Sequence, residues 1–165
     1  MILPDVNVLV YAFRSDSVDH QSYKAWLEDV INGSAAYGMS PQVVASMVRL
    51  TTHPRIFARP DRLEDAMAFA SVLLDQPNCQ VIEPGRRHWG IFTRLCRSAN
   101  AYGNLVQDAW LAALAIESGC EWITNDRDFA RFDGLQWRPA LREAASASKK
   151  SAFSPAGYLP TGKTP

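Results

Sequence analysis

Short apolar stretches of strand character alternate with longer segments of helical period through the first 141 residues, and that alternation restricts the fold more than any single motif. Residues 2–5 read as a short strand, and VNVLVYAFR runs on to a polar break at SDSVDH. QSYKAWLEDVI then places Trp26, Leu27, Val30 and Ile31 at helical spacing. AAYGMS, CQVIE and EWIT read as three further strands, and LQWRP as a last edge strand. Between them, QVVASMVRL, a segment ending near Leu74, RHWGIFTRLCRSA and LVQDAWLAALAIESG read as helices, with DRDFARF starting another. Ser40 and Pro41 supply an N-cap and a first-turn proline, and Asp61 with Glu64 forms a D-x-x-E capping pattern. Parallel strands need crossover connections, so the expected class is α/β, three layers with a central parallel sheet covered by helices on both faces. Functional groups in such sheets gather beyond the carboxyl ends of the strands.

Residues 1–141 suit one domain, since 47% of the chain is apolar and 10% aromatic, ample for one core. Residues 142–165 are rich in Ala, Ser, Lys, Pro and Gly without periodicity, and read as a disordered tail. Lys+Arg and Asp+Glu both number 17, so no global basic field advertises a nucleic-acid partner, and any such partner must be held locally. Cys79, Cys96 and Cys120 form no CxxC pair and suggest neither a disulfide framework nor a zinc site. With no basic export leader and no apolar run of about 18 residues, the expectation is a cytoplasmic protein that does not enter a membrane.

Asp5 interrupts an otherwise apolar start, where an ionised carboxylate costs several kcal/mol in order of magnitude unless something compensates it. Asp126 follows the strand EWIT, and Asp108 lies in the first turns of the helix before it, so all three reach one rim of the sheet. Carboxylates about 4 Å apart repel by roughly 4 kcal/mol at an effective dielectric near 20, so the cluster must be protonated, solvated or neutralised by a cation. Such oxygen ligands suit Mg²⁺ or Mn²⁺. Helix capping is the competing role for Asp108 and Asp126, and helix-start or salt-bridge duty for Asp128.

DVNVLVYA at the start, RLTTHPRIF at 49–57 and GNLVQDAWLAALAIESGCEWITNDRDFARF at 103–132 resemble a PIN-domain ribonuclease of the VapC toxin type. The resemblance implies an α/β/α PIN fold and Mg²⁺- or Mn²⁺-dependent hydrolysis of RNA to 5′-phosphate and 3′-hydroxyl ends. It also implies a VapB-like antitoxin partner and a homodimer. Asp5, Asp108 and Asp126 match three acidic positions of the family, as catalytic and metal-binding residues, and Asn7 and Thr124 match polar positions beside them. The family's fourth acid, a Glu three residues before an Arg, falls on Ser46 when Arg49 is aligned. A PIN scaffold that binds antitoxin or RNA with little or no cleavage is therefore the alternative.

Gln42, Ser46, Arg49 and His53 recur as a polar stripe expected to face the cleft. Arg49, Arg55, Arg59, Arg62, Arg86 and Arg87 are candidate phosphate contacts, and Trp89 or Phe57 could stack on bases. GYLPTGKT at 157–164 satisfies the phosphate-loop pattern, but no strand precedes it, so nucleotide binding is not expected. Dispersed histidines do not suggest zinc, no G-x-S-x-G elbow supports a serine hydrolase, and Asn7 stands where an aspartyl-nucleophile phosphohydrolase carries a second Asp.

Overall fold

A computed structural model describes residues 1–141, and the expectations for the tail and for GYLPTGKT lie outside the described residues. In chain order the elements are β1 (Ile2–Pro4), α1 (Val6–Phe13), α2 (His20–Asn32), β2 (Tyr37–Met39), α3 (Pro41–Thr51) and α4 (Leu63–Leu74). They continue with β3 (Cys79–Val81), α5 (His88–Ser98), α6 (Asn104–Ser118), β4 (Glu121–Ile123), a 3₁₀ turn (Arg127–Arg131) and β5 (Trp137–Arg138).

All strand pairs are parallel: β1, β4 and β5 form one ladder in that order, with Pro4 opposite Ile123, and β2 pairs with β3. The sheet is thus two hydrogen-bonded pieces, with β2 packed beside β1. Gly38 permits that approach, since a Cβ there would lie 3.3 Å from the Ile2 carbonyl oxygen and 2.9 Å from Ile82. On one side α1 packs against α2 and α3, and α3 against α4; α5 packs on α6. This is the three-layer α/β/α arrangement.

Leu3, Tyr37, Met39, Trp122 and Ile123 line the sheet's buried faces, and Met47, Leu73, Leu95 and Leu114 meet them from the helices. Each fully buried large apolar side chain contributes about 1.5–3 kcal/mol. In α6, Ala109, Ala112, Ala113 and Ala115 are also buried, and their small side chains let this helix sit deep in the molecule. It ends at Ser118, just before β4, so it runs back along the strand and its amino end lies at the strand's carboxyl end.

Helix starts depart from expectation in two places and a helix type in a third, where the capping role weighed for Asp126 is the one observed. Ser40 precedes α3 but makes no side-chain cap bond, so Pro41 does the starting. Asp61 does not cap α4, whose N-cap position is Arg62; its carboxylate instead pairs with Arg14 at the carboxyl end of α1. DRDFARF forms a 3₁₀ turn, not an α-helix, and Asp126 caps it by accepting from the Asp128 N–H at 2.9 Å.

Arg14 is a second organising centre. Its side chain is 4% exposed and donates to Asp16 at 2.7 and 3.0 Å, to Asp61, and to the Arg59 carbonyl at 3.2 Å. Its guanidinium carbon lies 3.7 Å from the centre of the Phe57 ring. A buried guanidinium survives only with this degree of pairing, and here it fixes the chain after α3 against α1.

Candidate active site

The carboxyl ends of β1 and β4 are joined beyond their last paired residues. The Asp5 N–H donates to the Ile123 carbonyl at 2.9 Å, so the backbone holds Asp5 in register with β4. Asp5 is also the N-cap of α1, its Oδ1 accepting from the Val6 N–H at 2.6 Å. Helix capping, expected as a competing role only for Asp108 and Asp126, is thus also a role of Asp5, because the chain turns directly from strand to helix there. Its Oδ2 accepts from Thr124 Oγ1 at 2.6 Å and Asn7 Nδ2 at 2.9 Å. Burial nevertheless dominates: it raises the Asp5 pKa to about 6, the three donors oppose it, and the Asp126 charge adds to the rise.

Thr124 is fully buried and works in both directions. Its hydroxyl donates to Asp5 and accepts from Asn7 Nδ2 and from the Asp126 N–H, both at 3.0 Å. One side chain thereby ties Asp5, Asn7 and the backbone of Asp126.

Asp108, on the second turn of α6, is half-buried. Burial, then repulsion from Asp126, Asp5 and Asp128, raise its pKa to about 7. No side-chain or backbone donor among the described residues hydrogen-bonds its carboxyl group, and neither Asp108 nor Asp5 has a Lys or Arg ion-pair partner there. The capping role for Asp108 is set aside, since the helix starts four residues earlier. The structure thus brings Asp5, Asp108, Asp126 and Asp128 into one electrostatic cluster, with Asn7 and Thr124 within it. Asp128 is the outermost, exposed and 3.5 Å from Arg131.

No group of three or more His, Cys, Asp or Glu side chains among the described residues stands ready-made as a metal cage. The donor set still fits a hard divalent cation that keeps several waters and takes one or two carboxylates: Asp108 has no competing hydrogen-bond donor, and both raised acids gain from a neutralising charge.

A family model for the PIN domain matches residues 2–135. The chain belongs to the PIN-domain family. Among similar proteins, Ribonuclease VapC43 of Mycobacterium tuberculosis is 40% identical over 141 residues, covering 86% of this chain and 96% of the relative. Ribonuclease VapC25 of the same organism is 40% identical over 136 residues, covering 82% and 96%. The solved structure of VapBC2 from Rickettsia felis bound to a promoter DNA fragment matches at a TM-score of 0.63 and 20% identity, covering 84% of this chain and 98% of that one, which bears on the fold.

In this PIN domain the remaining candidates divide by geometry. Gln42 accepts from the Trp110 indole N–H at 2.8 Å, which turns that face of α3 toward α6; Ser46, one turn on, is half-buried. Arg49, Arg55 and Arg86 are exposed. Arg87 is committed elsewhere: its guanidinium donates to the Glu117 carbonyl at 3.0 Å and its N–H to the Glu117 carboxylate at 2.8 Å. Phe57 lies under Arg14, whereas Trp89 is 63% exposed. The Arg14 centre had no advance sign beyond a charged residue closing an apolar helix.

Proposed function

We propose that this chain is the toxin component of a type II toxin–antitoxin pair, a divalent-metal-dependent endoribonuclease that hydrolyses RNA phosphodiester bonds. The observation that carries this reading is the convergence of Asp5, Asp108 and Asp126 at one rim, with two of them pushed up to about 6 and about 7. The names of the VapC ribonucleases at 40% identity support it.

Asp5, Asp108 and Asp126 would hold Mg²⁺ or Mn²⁺, which supplies Lewis acidity toward a phosphoryl oxygen when bound. Thr124 and Asn7 fix the Asp5 carboxylate so that its free lone pairs point one way. Asp108, with no hydrogen-bond donor of its own, keeps its carboxyl oxygens free for the ion or for the ion's bound water. Exposed Arg49, Arg55 and Arg86 contact phosphates, with Arg87 left a minor part by its ties to Glu117. Ser46 and Asp128 border this set. A VapB-like antitoxin and a homodimer complete the reading. No described helix is long and apolar enough to cross a membrane.

The test is cleavage of a labelled RNA by the full chain in EDTA, Mg²⁺ or Mn²⁺. Activity that requires metal and falls at least a hundredfold in each of Asp5→Asn, Asp108→Asn and Asp126→Asn is expected; parent-like rates in all three would refute it. The second reading, a scaffold that binds without cutting, draws on Ser46 in the place of an acid and on the lack of a ready-made three-ligand cage. Metal-independent RNA binding with no cleavage would select it.

A further inference from the structure

The loop between α5 and α6 holds an aromatic ring in solvent. Tyr102 is 81% exposed, more than any other large apolar side chain described, and it makes no ring contact or side-chain hydrogen bond among the described residues. Its backbone is fixed. Asn100 has φ 47° and Gly103 has φ 56° with ψ −128°, a combination that only glycine adopts without strain. The Ala101 N–H donates to the Cys96 carbonyl at 2.8 Å, and the Tyr102 carbonyl accepts from the Leu105 N–H at 3.2 Å.

This loop lies at the amino end of α6, which is the carboxyl end of β4 and hence the side of the acidic rim. Four residues separate Asn104 from Asp108, about 6 Å of helix axis, and helical side chains lean toward the amino terminus. The Asp108 carboxyl group therefore leans toward the loop. On the loop's other flank, Arg94 and Arg97 are exposed on the last turns of α5, and no acidic residue occurs between Glu83 and Asp108.

An exposed ring beside unopposed arginines is the chemistry that grips single-stranded RNA, through base stacking and phosphate contact. The same patch facing a second copy of itself would set arginine against arginine. We infer that Tyr102 stacks on a base of the RNA next to the bond being cut, with Arg94 and Arg97 on the adjoining phosphates. This rests on the ribonuclease reading and adds to it the residue that seats the substrate.

The experiment uses the full chain in EDTA with short fluorescein-labelled oligouridine and oligoadenine, read by anisotropy, and then cleavage of mixed-sequence RNA in Mn²⁺. Tyr102→Ala should weaken binding about tenfold with an unchanged salt slope, while Tyr102→Phe and Tyr102→Trp stay within about twofold of the parent. Arg97→Ala should instead flatten the salt slope. In cleavage, Tyr102→Ala should raise KM and leave kcat nearly as it was. Parent-like binding and KM in Tyr102→Ala would overturn the inference, as would equal losses in the Phe and Trp variants. A change in oligomeric mass in Tyr102→Ala without a change in RNA affinity would assign the ring to a second copy, and also overturn it. Ring-dependent binding without any cleavage would sink the ribonuclease reading and overturn the placing of the ring next to a cut bond, while the stacking contact itself would be upheld.

Discussion

Thr124 Oγ1 lies 2.6 Å from Asp5 Oδ2, joining the residues that follow two adjacent parallel strands 119 positions apart in the chain. Because the same hydroxyl accepts from Asn7 and from the Asp126 N–H, it fixes the spacing of two of the acids as well as the orientation of one.

Thr124→Val keeps the shape and deletes that hydroxyl. Losing its three hydrogen bonds in a fully buried position should cost about 1–3 kcal/mol, and removing a donor to the Asp5 carboxylate should push the Asp5 pKa higher still. Thr124→Ser should recover most of both. Denaturant unfolding, with the Asp5 titration followed by NMR, checks the pair; equal stability for Val and Ser at this position would show the hydroxyl to be dispensable.

Stability without metal should fall as pH rises from about 4 to 7. Asp5 and Asp108 have folded pKa values of about 6 and about 7 against an ordinary 3.8, so in this range the folded chain binds more protons than the unfolded one. Their favourable contribution is complete below 3.8 and is lost as pH passes through the raised values. Asp16, held low by Arg14, acts in the opposite sense but only in more acid solution. Asp108→Asn should flatten the profile and stabilise the metal-free chain at pH 8 by on the order of 1–3 kcal/mol. Melting temperatures from pH 4 to 8 in EDTA decide it; a slope that persists in Asp108→Asn and in Asp5→Asn would mean that other groups produce it.

The acidic rim could be read in the sequence because a carboxylate inside an apolar run needs compensation, and because strand ends in parallel sheets point to one edge. Asp5, Asp108 and Asp126 were legible for that reason. The pairing of Asp61 was not: D-x-x-E is a local pattern, and the partner that overrides it, Arg14, lies 47 positions away. The cap made by Asp5 was hidden for another reason: the strand ends at Pro4 and the helix starts at Val6, so no loop separates them to mark a helix start. The alternation of strands and helices fixed the layers, but strands only three residues long could not show that β2 would flank β1 outside its hydrogen-bonded ladder.

Removing the Arg14 centre should loosen the segment after α3 before it unfolds the sheet. Arg14→Ala strands Asp61 and opens space over Phe57, so a loss of about 3–5 kcal/mol is expected. Asp61→Asn, which keeps a hydrogen-bond acceptor at a site 29% exposed, should cost less, about 1–2 kcal/mol. Hydrogen exchange in residues 52–62 should rise first in the milder variant. Uniform loss of protection across β1 and β4 instead would show that Arg14 holds the whole fold.

Ser46→Glu should tighten divalent-metal binding and raise RNA cleavage. α3 starts where β2 ends, at the rim, and the Gln42–Trp110 hydrogen bond turns its Gln42 face to α6, the helix that carries Asp108. Ser46 is one turn further along that face, at a spacing that keeps side chains neighbours. A carboxylate there adds negative charge to a cluster already strained by repulsion, so the metal-free variant should melt below the parent at pH 8. Glutamate is a good helix former, so propensity does not produce that loss. Metal bound to the folded state should then reverse the order, giving the variant the larger rise in melting temperature across a Mn²⁺ titration. If the variant and the parent melt together in EDTA and rise together with Mn²⁺, Ser46 faces away from the acids, and its alignment with the family's glutamate position is wrong.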